Sequence, residues 1–527
     1  MTHQALEKLG AHLRETRLLG SIHGTLYWDQ NTLMPTAGAA WRGEQLALLA
    51  RQLHERQSSD AYAQTLAEAE AALQNSQPTD PWRQNLALLR QDLARQRQLD
   101  PALVVALSLA RARGYALWQE ARRQADHAQF APALAELISL RQEQARQLAP
   151  VERDAAGGQR SCWEILAQPF EPGISKARLT SLFEPLRQQL PPLVERYGRH
   201  RSAARAGGGA GHQQELAETL QEQLGHELLQ EWGFEASQAV LARSPHPFST
   251  TLGPADFRIT SRVVAGQPFS AFLATAHEWG HSLYEQGLPR HDQQWFAWPL
   301  GDATSMGVHE SQSLFWECRV GRSEAFARRW QPRFQRAAGN GADQDDSAAA
   351  AAWQDPGRFW RALNPRRPGL IRVESDELSY CLHILLRYDL ELALLEGGLP
   401  VQELPDEWNR RMVNLLGIEP PNDAEGCLQD VHWSEGLFGY FPSYALGHLI
   451  SAQLAEAMER QIGPIEQRLA AGEDRALLDW LRLHVHPLGR SVNGEELVER
   501  VSGAPLASSA FLRYLESKLE LLSAGDP

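Results

Sequence analysis

Long runs of Ala, Leu, Arg, Gln and Glu at helical spacing occupy most of the sequence up to about residue 235. LAEAEAALQ and ELAETLQEQLGHELLQEW are two examples. These residues are strong helix formers and have few β-branched neighbours, so they predict a mostly helical fold. The stretch from Gly207 to Gly211 and the segment 339–352 are predicted to be surface loops, since helical patterns resume on both sides of each.

One region departs from this pattern. Residues 246–264 are rich in Thr, Val, Ile and Phe and are broken by a Gly-Pro pair. Such a composition predicts one or two short strands with a turn. These strands could offer an edge to an extended peptide, or they could simply cover the core.

The chain has 527 residues, of which 43% are hydrophobic and 22% are charged, and its net charge is −14. Because phosphate affinity comes from clustered Lys and Arg, this balance argues against a nucleic-acid binder or a binder of anionic membranes. No stretch approaches the roughly 18 to 20 uninterrupted apolar residues of a membrane span, and the N-terminus lacks a signal-peptide core. The four cysteines show no CxxC spacing, which fits a reduced compartment. We therefore predict a cytoplasmic protein.

The stretch AFLATAHEWGHSLYEQGLP places His277 and His281 four residues apart with Glu278 between them. Residues 272–284 follow a helical period, and Gly287 supplies a stop signal. Side chains at i and i+4 are neighbours on a helix, so both histidines can reach one object. The pattern matches H-E-x-x-H, in which the histidines bind zinc and the glutamate acts on water. Buried, satisfied core histidines are the alternative interpretation.

A catalytic zinc usually has three protein ligands, and the further His of a metzincin is absent here. A carboxylate from a later helix is the alternative, and Glu310 lies 29 residues beyond His281. His309 is its rival, because adjacent helical residues point about 100° apart and only one of them should face the metal. Glu317 and Asp302 are weaker options.

Six motifs occur along the chain in a fixed order: HPF (246–248), DFRIT (256–260), HEWGH (277–281), HESQ (309–312), IRVESD (371–376) and GCLQDVHW (426–433). By these motifs the sequence resembles the M32 family of metallocarboxypeptidases, the carboxypeptidase Taq group, over nearly its whole length. It departs from the family pattern at Ser375, where Ala is usual, and at Leu314, where Arg is common.

The resemblance implies a mostly α, gluzincin-type helical metallopeptidase with a long substrate cleft and a small β-sheet beside the HExxH helix. It implies one divalent metal per chain, held by His277, His281 and Glu310. Zinc is expected, with cobalt or manganese as alternatives. Residues 1–527 are interpreted as a single catalytic domain with helical walls on either side of a central cleft. We expect a homodimer, and we expect its substrates to be peptides with a free C-terminus.

Glu278 is placed to take a proton from water and pass it to the leaving amine, which is the role of a general base. Hydrogen-bond donors are then needed for the oxyanion that forms on the peptide carbonyl. His432 and Tyr440 are the candidates by similarity to related gluzincins, and Tyr444 is the alternative for this role. GYFPSY could instead be an aromatic anchor that begins a core helix.

An exopeptidase also needs a cation that binds the substrate's C-terminal carboxylate. Arg can bind a carboxylate through a bidentate pair of hydrogen bonds. Arg372 and Arg258 are the arginines inside family motifs. Each could instead form a simple ion pair, for instance Arg372 with Glu374 or Asp376. His246, His309 and Tyr444 complete the predicted substrate-binding residues. The sequence thus predicts a metal-dependent carboxypeptidase. An endo-acting oligopeptidase with the same metal site and an inert helical peptide-binding scaffold are the alternatives.

Overall fold

A computed structural model describes residues 2–74, 77, 80–154, 156–198, 216–264, 267–290, 295–341 and 354–524. These residues form twenty α-helices and one small sheet, so the predicted mostly helical fold is confirmed. The predicted loop from Gly207 to Gly211 lies outside the described residues. Of the segment 339–352, the first three residues end a helix, and the rest also lie outside the described residues.

Among the residues that the structure describes, nine α-helices precede the sheet, and two of them show why they begin where they do. At the start of the fourth and fifth helices, Asp80 and Asp100 each accept a hydrogen bond from the backbone N–H two residues later, and a proline follows at the first helical position. The nine helices are α1 (Thr2–Thr32), α2 (Ala39–Ser58), α3 (Asp60–Ala72), α4 (Pro81–Gln98), α5 (Pro101–Gln124), α6 (Ala131–Leu148), α7 (Cys162–Ala167), α8 (Lys176–Tyr197) and α9 (Glu218–Glu231).

The sheet has three strands, β1 (Ala239–Arg243), β2 (Ser249–Gly253) and β3 (Asp256–Ser261). β3 lies in the middle, parallel to β1 and antiparallel to β2. The β2–β3 hairpin lies within residues 246–264, where the sequence predicted one or two short strands with a turn. β1 was not predicted, because its five residues follow a helical segment and alternate only weakly.

Eleven helices follow within the described part of the chain, beginning with the predicted HEWGH helix. They are α10 (Ser270–Gly287), α11 (Met306–Leu314), α12 (Glu324–Gly341), α13 (Pro356–Leu363), α14 (Tyr380–Leu395), α15 (Leu404–Leu416), α16 (Pro442–Ile462), α17 (Ile465–Ala470), α18 (Asp474–His484), α19 (Gly494–Ser502) and α20 (Ser509–Ala524). α11 continues directly as a π-helical turn, Phe315–Gly321. None of the helices described is both long enough and apolar enough to cross a membrane.

The N-terminal helices α1, α3 and α4 share a small hydrophobic cluster with Trp298, separate from the main core. Polar contacts also join this layer to the rest of the chain. Arg490 forms an ion pair with Asp92 in α4, and the Asn85 side chain accepts a hydrogen bond from the Leu300 amide. All four cysteines are free thiols.

Candidate active site

α10 and α11 bring His277, His281 and Glu310 together. The Oε2 atom of Glu310 lies 3.7 Å from Nε2 of His277 and 3.5 Å from Nε2 of His281. One potential ligand atom from each side chain lies within 4.8 Å of the others. The helical spacing therefore does place both histidines on one face, opposite the carboxylate that the sequence favoured.

Two glycines allow this close arrangement. A Cβ atom on Gly280 of α10 would lie 2.8 Å from Cα of Ser313 on α11. A Cβ atom on Gly447 of α16 would lie 2.6 Å from Cγ of Glu310 itself. Larger residues would push the helices apart, so the two glycines set how deeply α11 lies between α10 and α16.

Each histidine uses its second ring nitrogen to contact a neighbouring side chain. Nδ1 of His277 lies 3.0 Å from Oε2 of Glu317, and Arg322 donates hydrogen bonds to the other oxygen of Glu317. Such a carboxylate contact orients the ring and leaves Nε2 for a metal. Glu317, a weaker ligand candidate in the sequence, therefore lies behind His277. Asp302, the other weaker candidate, is paired with Arg17.

His309 occupies the corresponding position behind His281. The two Nδ1 atoms are 2.6 Å apart, and Nε2 of His309 lies 3.0 Å from Oε1 of Glu285. Arg290 in turn forms an ion pair with Glu285. His309, the rival of Glu310 as a ligand, therefore contacts a candidate ligand through its ring.

The donor set fits a divalent ion. Two imidazole nitrogens and one carboxylate oxygen are a common ligand set for catalytic zinc. The site is also rich in negative charge. Burial opposes a charged His277, but the carboxylates of Glu310, Glu317 and Glu278 outweigh it and raise the pKa of this histidine to about 10. A largely buried cluster that attracts a proton so strongly would equally favour a cation.

Glu278 is 7% exposed and follows a candidate ligand directly in α10. Burial raises the pKa of its carboxyl group to about 7, and Glu310 adds to that effect while His277 opposes it. Among the residues that the structure describes, no donor hydrogen-bonds to this carboxylate. Its oxygens are therefore available to a water molecule or a substrate.

His432 and Tyr440 lie in the segment before α16, and Tyr444 lies in the first turn of that helix. The carboxylate of Glu310 is near enough to act on both tyrosines. Nε2 of His432 lies 3.1 Å from the Tyr444 hydroxyl, and the rings of Tyr440 and Tyr444 pack edge to face. Burial, followed by nearby Tyr444 and Glu310, raises the pKa of Tyr440, so this hydroxyl keeps its proton. Burial also lowers the pKa of His432 to about 3, which makes the imidazole neutral near pH 7.

Arg372 is 5% exposed and belongs to a buried ion-pair network. Its Nε and Nη2 donate to Oδ1 of Asp430 at 2.9 and 2.8 Å, and its Nη1 donates to the Tyr380 hydroxyl at 3.0 Å. Oδ2 of Asp430 pairs with Arg387 at 2.6 Å. The two guanidinium groups lower the pKa of Asp430 despite its burial. Two cations against one anion leave a net charge of +1 beside the site.

Arg258 and His246 lie near the sheet. Arg258 donates two hydrogen bonds to Asp256, two residues earlier in β3, and its guanidinium lies 5.7 Å from the ring of Trp28 in α1. His246 precedes β2, and burial followed by nearby cations, Arg372 among them, lowers its pKa. Both arginines of the family motifs are thus ion-paired, although Arg372 pairs with Asp430 and not with its neighbours Glu374 or Asp376.

Comparison with known proteins identifies the family. The profile of the Carboxypeptidase Taq (M32) metallopeptidase family matches residues 8–519. The chain belongs to this M32 family. It is 37% identical to Thermostable carboxypeptidase 1 of Thermus thermophilus over 521 residues, which cover 98% of this chain and 99% of that protein. It is 30% identical to Carboxypeptidase 1 of Bacillus subtilis over 499 residues, covering 94% and 93% of the two proteins.

Solved structures of the same family share the fold. The M32 carboxypeptidase from Deinococcus radiodurans R1 is 31% identical, with a TM-score of 0.88 over 99% of this chain and 100% of that chain. Trypanosoma cruzi Metallocarboxypeptidase 1 is 30% identical, with a TM-score of 0.87 over 98% and 99% of the two chains. The protein is therefore a metal-dependent carboxypeptidase and a peptide hydrolase, as the sequence predicted.

Within this M32 site, sequence reasoning missed several contacting residues. Asp430 and Tyr380 fix the guanidinium of Arg372, and Glu285 supports His309. Asp430 lies inside the GCLQDVHW motif, two residues before His432, so its position was a usable signal. Tyr380 and Glu285 carry no comparable signal, because each is one polar residue in an ordinary helical pattern.

Proposed function

We propose that this M32 enzyme binds one zinc-type divalent ion through His277, His281 and Glu310. The observation that carries the proposal is the convergence of the three ligand atoms within 4.8 Å of one another. The contacts of Glu317 and His309 with the outer ring nitrogens support it, because metal-binding histidines commonly have such partners. Zinc is favoured by the two-imidazole, one-carboxylate set, and cobalt or manganese would accept the same donors.

When bound, such an ion would act as a Lewis acid on the peptide carbonyl. It would also lower the pKa of the attacking water molecule to about 7. Glu278 accepts the proton of the attacking water and returns it to the nitrogen of the leaving amino acid. Its position directly after His277 in α10, without a hydrogen-bond donor of its own in the described residues, supports this role.

His432 and Tyr440 donate hydrogen bonds to the oxyanion that develops on the peptide carbonyl, and Tyr444 supports them. A neutral imidazole and a protonated phenol are both donors, and burial keeps each group in that state. The contact between His432 and the Tyr444 hydroxyl holds the imidazole in place. Such fixed donors stabilise the transition state because they need no rearrangement during the reaction.

Arg372 binds the C-terminal carboxylate of the substrate, which selects the last peptide bond for cleavage. The pairing of two arginines with the single carboxylate of Asp430 supports this role, because a net positive charge is left over. Tyr380 and Asp430 hold the guanidinium rigidly. Arg258, which is paired within its own strand, and His246 contact the substrate further from the metal.

We further propose one catalytic domain over residues 1–527, with helical walls on either side of a cleft, because an ion pair and a hydrogen bond connect α4 to the C-terminal half of the chain. A homodimeric state and a cytoplasmic location stay predictions. The function can be tested by mass spectrometry of a mixed peptide pool after incubation with the enzyme. C-terminally shortened ladders are expected. Internal fragments would favour the endo-acting alternative, and an unchanged pool would favour the inert scaffold.

A further inference from the structure

Glu391 is a buried carboxylate without a cation. It lies in α14 and is 0% exposed, and no Lys or Arg of the described chain pairs with it. Its oxygens accept three hydrogen bonds from N–H groups instead: Oε2 from the Trp163 indole and the Gly439 amide, both at 2.9 Å, and Oε1 from the Trp433 indole at 3.1 Å. Burying a carboxylate without a counter-charge is unfavourable, and a specific role for Glu391 would explain its presence there.

The residues that Glu391 contacts point to that role. Trp433 directly follows His432, and Gly439 directly precedes Tyr440. The segment 432–440 contains a short 3₁₀ turn and irregular backbone, so helical hydrogen bonds alone do not fix it. One rigid carboxylate therefore holds the segment near both ends.

The face of α14 that carries Glu391 also reaches the substrate side of the site. Tyr380 and Arg387 lie eleven and four residues earlier on the same helix, and they contact Arg372 and Asp430 respectively. α14 thus supports the proposed carboxylate anchor at one end and the 432–440 segment at the other.

We propose that Glu391 is a positioning residue that places His432 and Tyr440 against the reacting peptide carbonyl. The inference rests on the proposed function, which gives those two residues their role as donors. Its physical basis is that a displacement of about 1 Å in a catalytic group can reduce turnover roughly 10²-fold. Glu391 itself does not touch the substrate.

Two tryptophans provide a matched test. Trp433→Phe and Trp163→Phe each remove one indole donor to Glu391 and leave a similar cavity, but only Trp433 lies on the 432–440 segment. We expect Trp433→Phe to reduce kcat at least tenfold, with KM and metal content near wild type. Trp163→Phe should lower the melting temperature by a comparable amount and change kcat less than threefold. Equal losses of kcat in the two variants would overturn the inference.

Glu391→Gln extends the test. A glutamine amide cannot accept all three hydrogen bonds, because its NH₂ group must face one of the N–H donors. We expect a loss of kcat of roughly 10²-fold. Adding Trp433→Phe removes one conflicting donor, so the double variant should be no slower than Glu391→Gln alone. If the loss of kcat in the double variant equalled the product of the losses in the two single variants, the two residues would act independently, which would contradict the inference. If Glu391→Gln does not fold, the comparison of Trp433→Phe with Trp163→Phe still tests the inference.

The proposed donor role is tested separately with Tyr440→Phe and His432→Ala. Full kcat in both variants would refute the proposed function, whatever the tryptophan variants show. Reduced kcat in either variant would support the donor role. If Trp433→Phe and Trp163→Phe then had equal effects on kcat, only the role of Glu391 would be refuted.

Discussion

Replacing Arg372 with Met should reduce kcat/KM for peptides with a free C-terminus far more than for the same peptides with an amidated C-terminus. The substitution keeps an unbranched stem but removes the guanidinium that we propose to bind the terminal carboxylate. An amidated peptide lacks that carboxylate, so the wild-type enzyme should already cleave it slowly. The substitution should then make little further difference.

The size of the effect follows from the contacts of Arg372. Truncating one partner of a buried charge pair typically costs about 2 to 5 kcal/mol. Asp430 already accepts hydrogen bonds from Nε and Nη2, and Tyr380 accepts one from Nη1. Because only part of the guanidinium remains for the substrate, we expect the lower end, about 2 kcal/mol. At about 1.36 kcal/mol per factor of ten, this is roughly a 30-fold loss.

The assay compares four rates: wild type and Arg372→Met, each with the free and the amidated peptide. Arg387→Met is a matched control, since it removes the same charge from the Asp430 network at a position that is 0% exposed and cannot touch the substrate. Arg258→Met tests the competing anchor. Metal content and melting temperature are measured for every variant, so that loss of fold is not mistaken for loss of binding.

Equal slowing of both peptides by Arg372→Met would refute the reasoning, because it would show that the guanidinium acts without the terminal carboxylate. A loss of kcat/KM in Arg258→Met that is confined to the free peptide would identify Arg258, in β3, as the residue that binds the terminal carboxylate. A selective loss in Arg387→Met as large as that in Arg372→Met would show that net charge, and not contact, determines the preference.

Three further substitutions and one treatment test the metal site. Glu278→Gln should keep the metal but lower kcat by roughly 10²- to 10⁴-fold or more. Metal analysis and turnover measurements test this, and loss of the metal would show that the residue has a structural role. Glu317→Gln should weaken metal affinity by roughly 10- to 100-fold in a competition titration, because His277 loses its orienting partner. Gly447→Ala should also lower metal affinity, since the new methyl group would collide with Glu310, and unchanged affinity would contradict that packing. Chelation should abolish activity reversibly and lower the melting temperature, because an ion at a hundred times its Kd stabilises the fold by about 2.7 kcal/mol.

The helical fold could be predicted well because its signal is local. Helix formers at a regular period, capping aspartates and the HEWGH spacing each act within a few residues. The same locality explains the missed strand β1. Its five residues, Ala239–Arg243, become a strand only because β3 lies beside them, and a parallel partner leaves no turn signal in the sequence.

The cluster of His277, His281 and Glu310 was also predictable, since two members share one helix face and the third lies in a family motif. The depth at which α11 packs was not. It depends on Gly280 and Gly447, which in the sequence are only two glycines inside helical patterns. A close approach between helices requires both partners, so neither glycine indicates it alone.

Arg372 shows the limit of reasoning from motifs. The sequence offered two interpretations, a substrate anchor or an ion pair with a near neighbour, as if they excluded each other. The structure contains an ion pair with a distant residue, Asp430, and a second arginine, Arg387, that shares the same carboxylate. A simple one-to-one pair would neutralise Arg372 and remove its value as an anchor. Two arginines on one aspartate instead hold the guanidinium rigid and leave a positive charge, so in this site the ion pair and the anchor are compatible roles of one side chain.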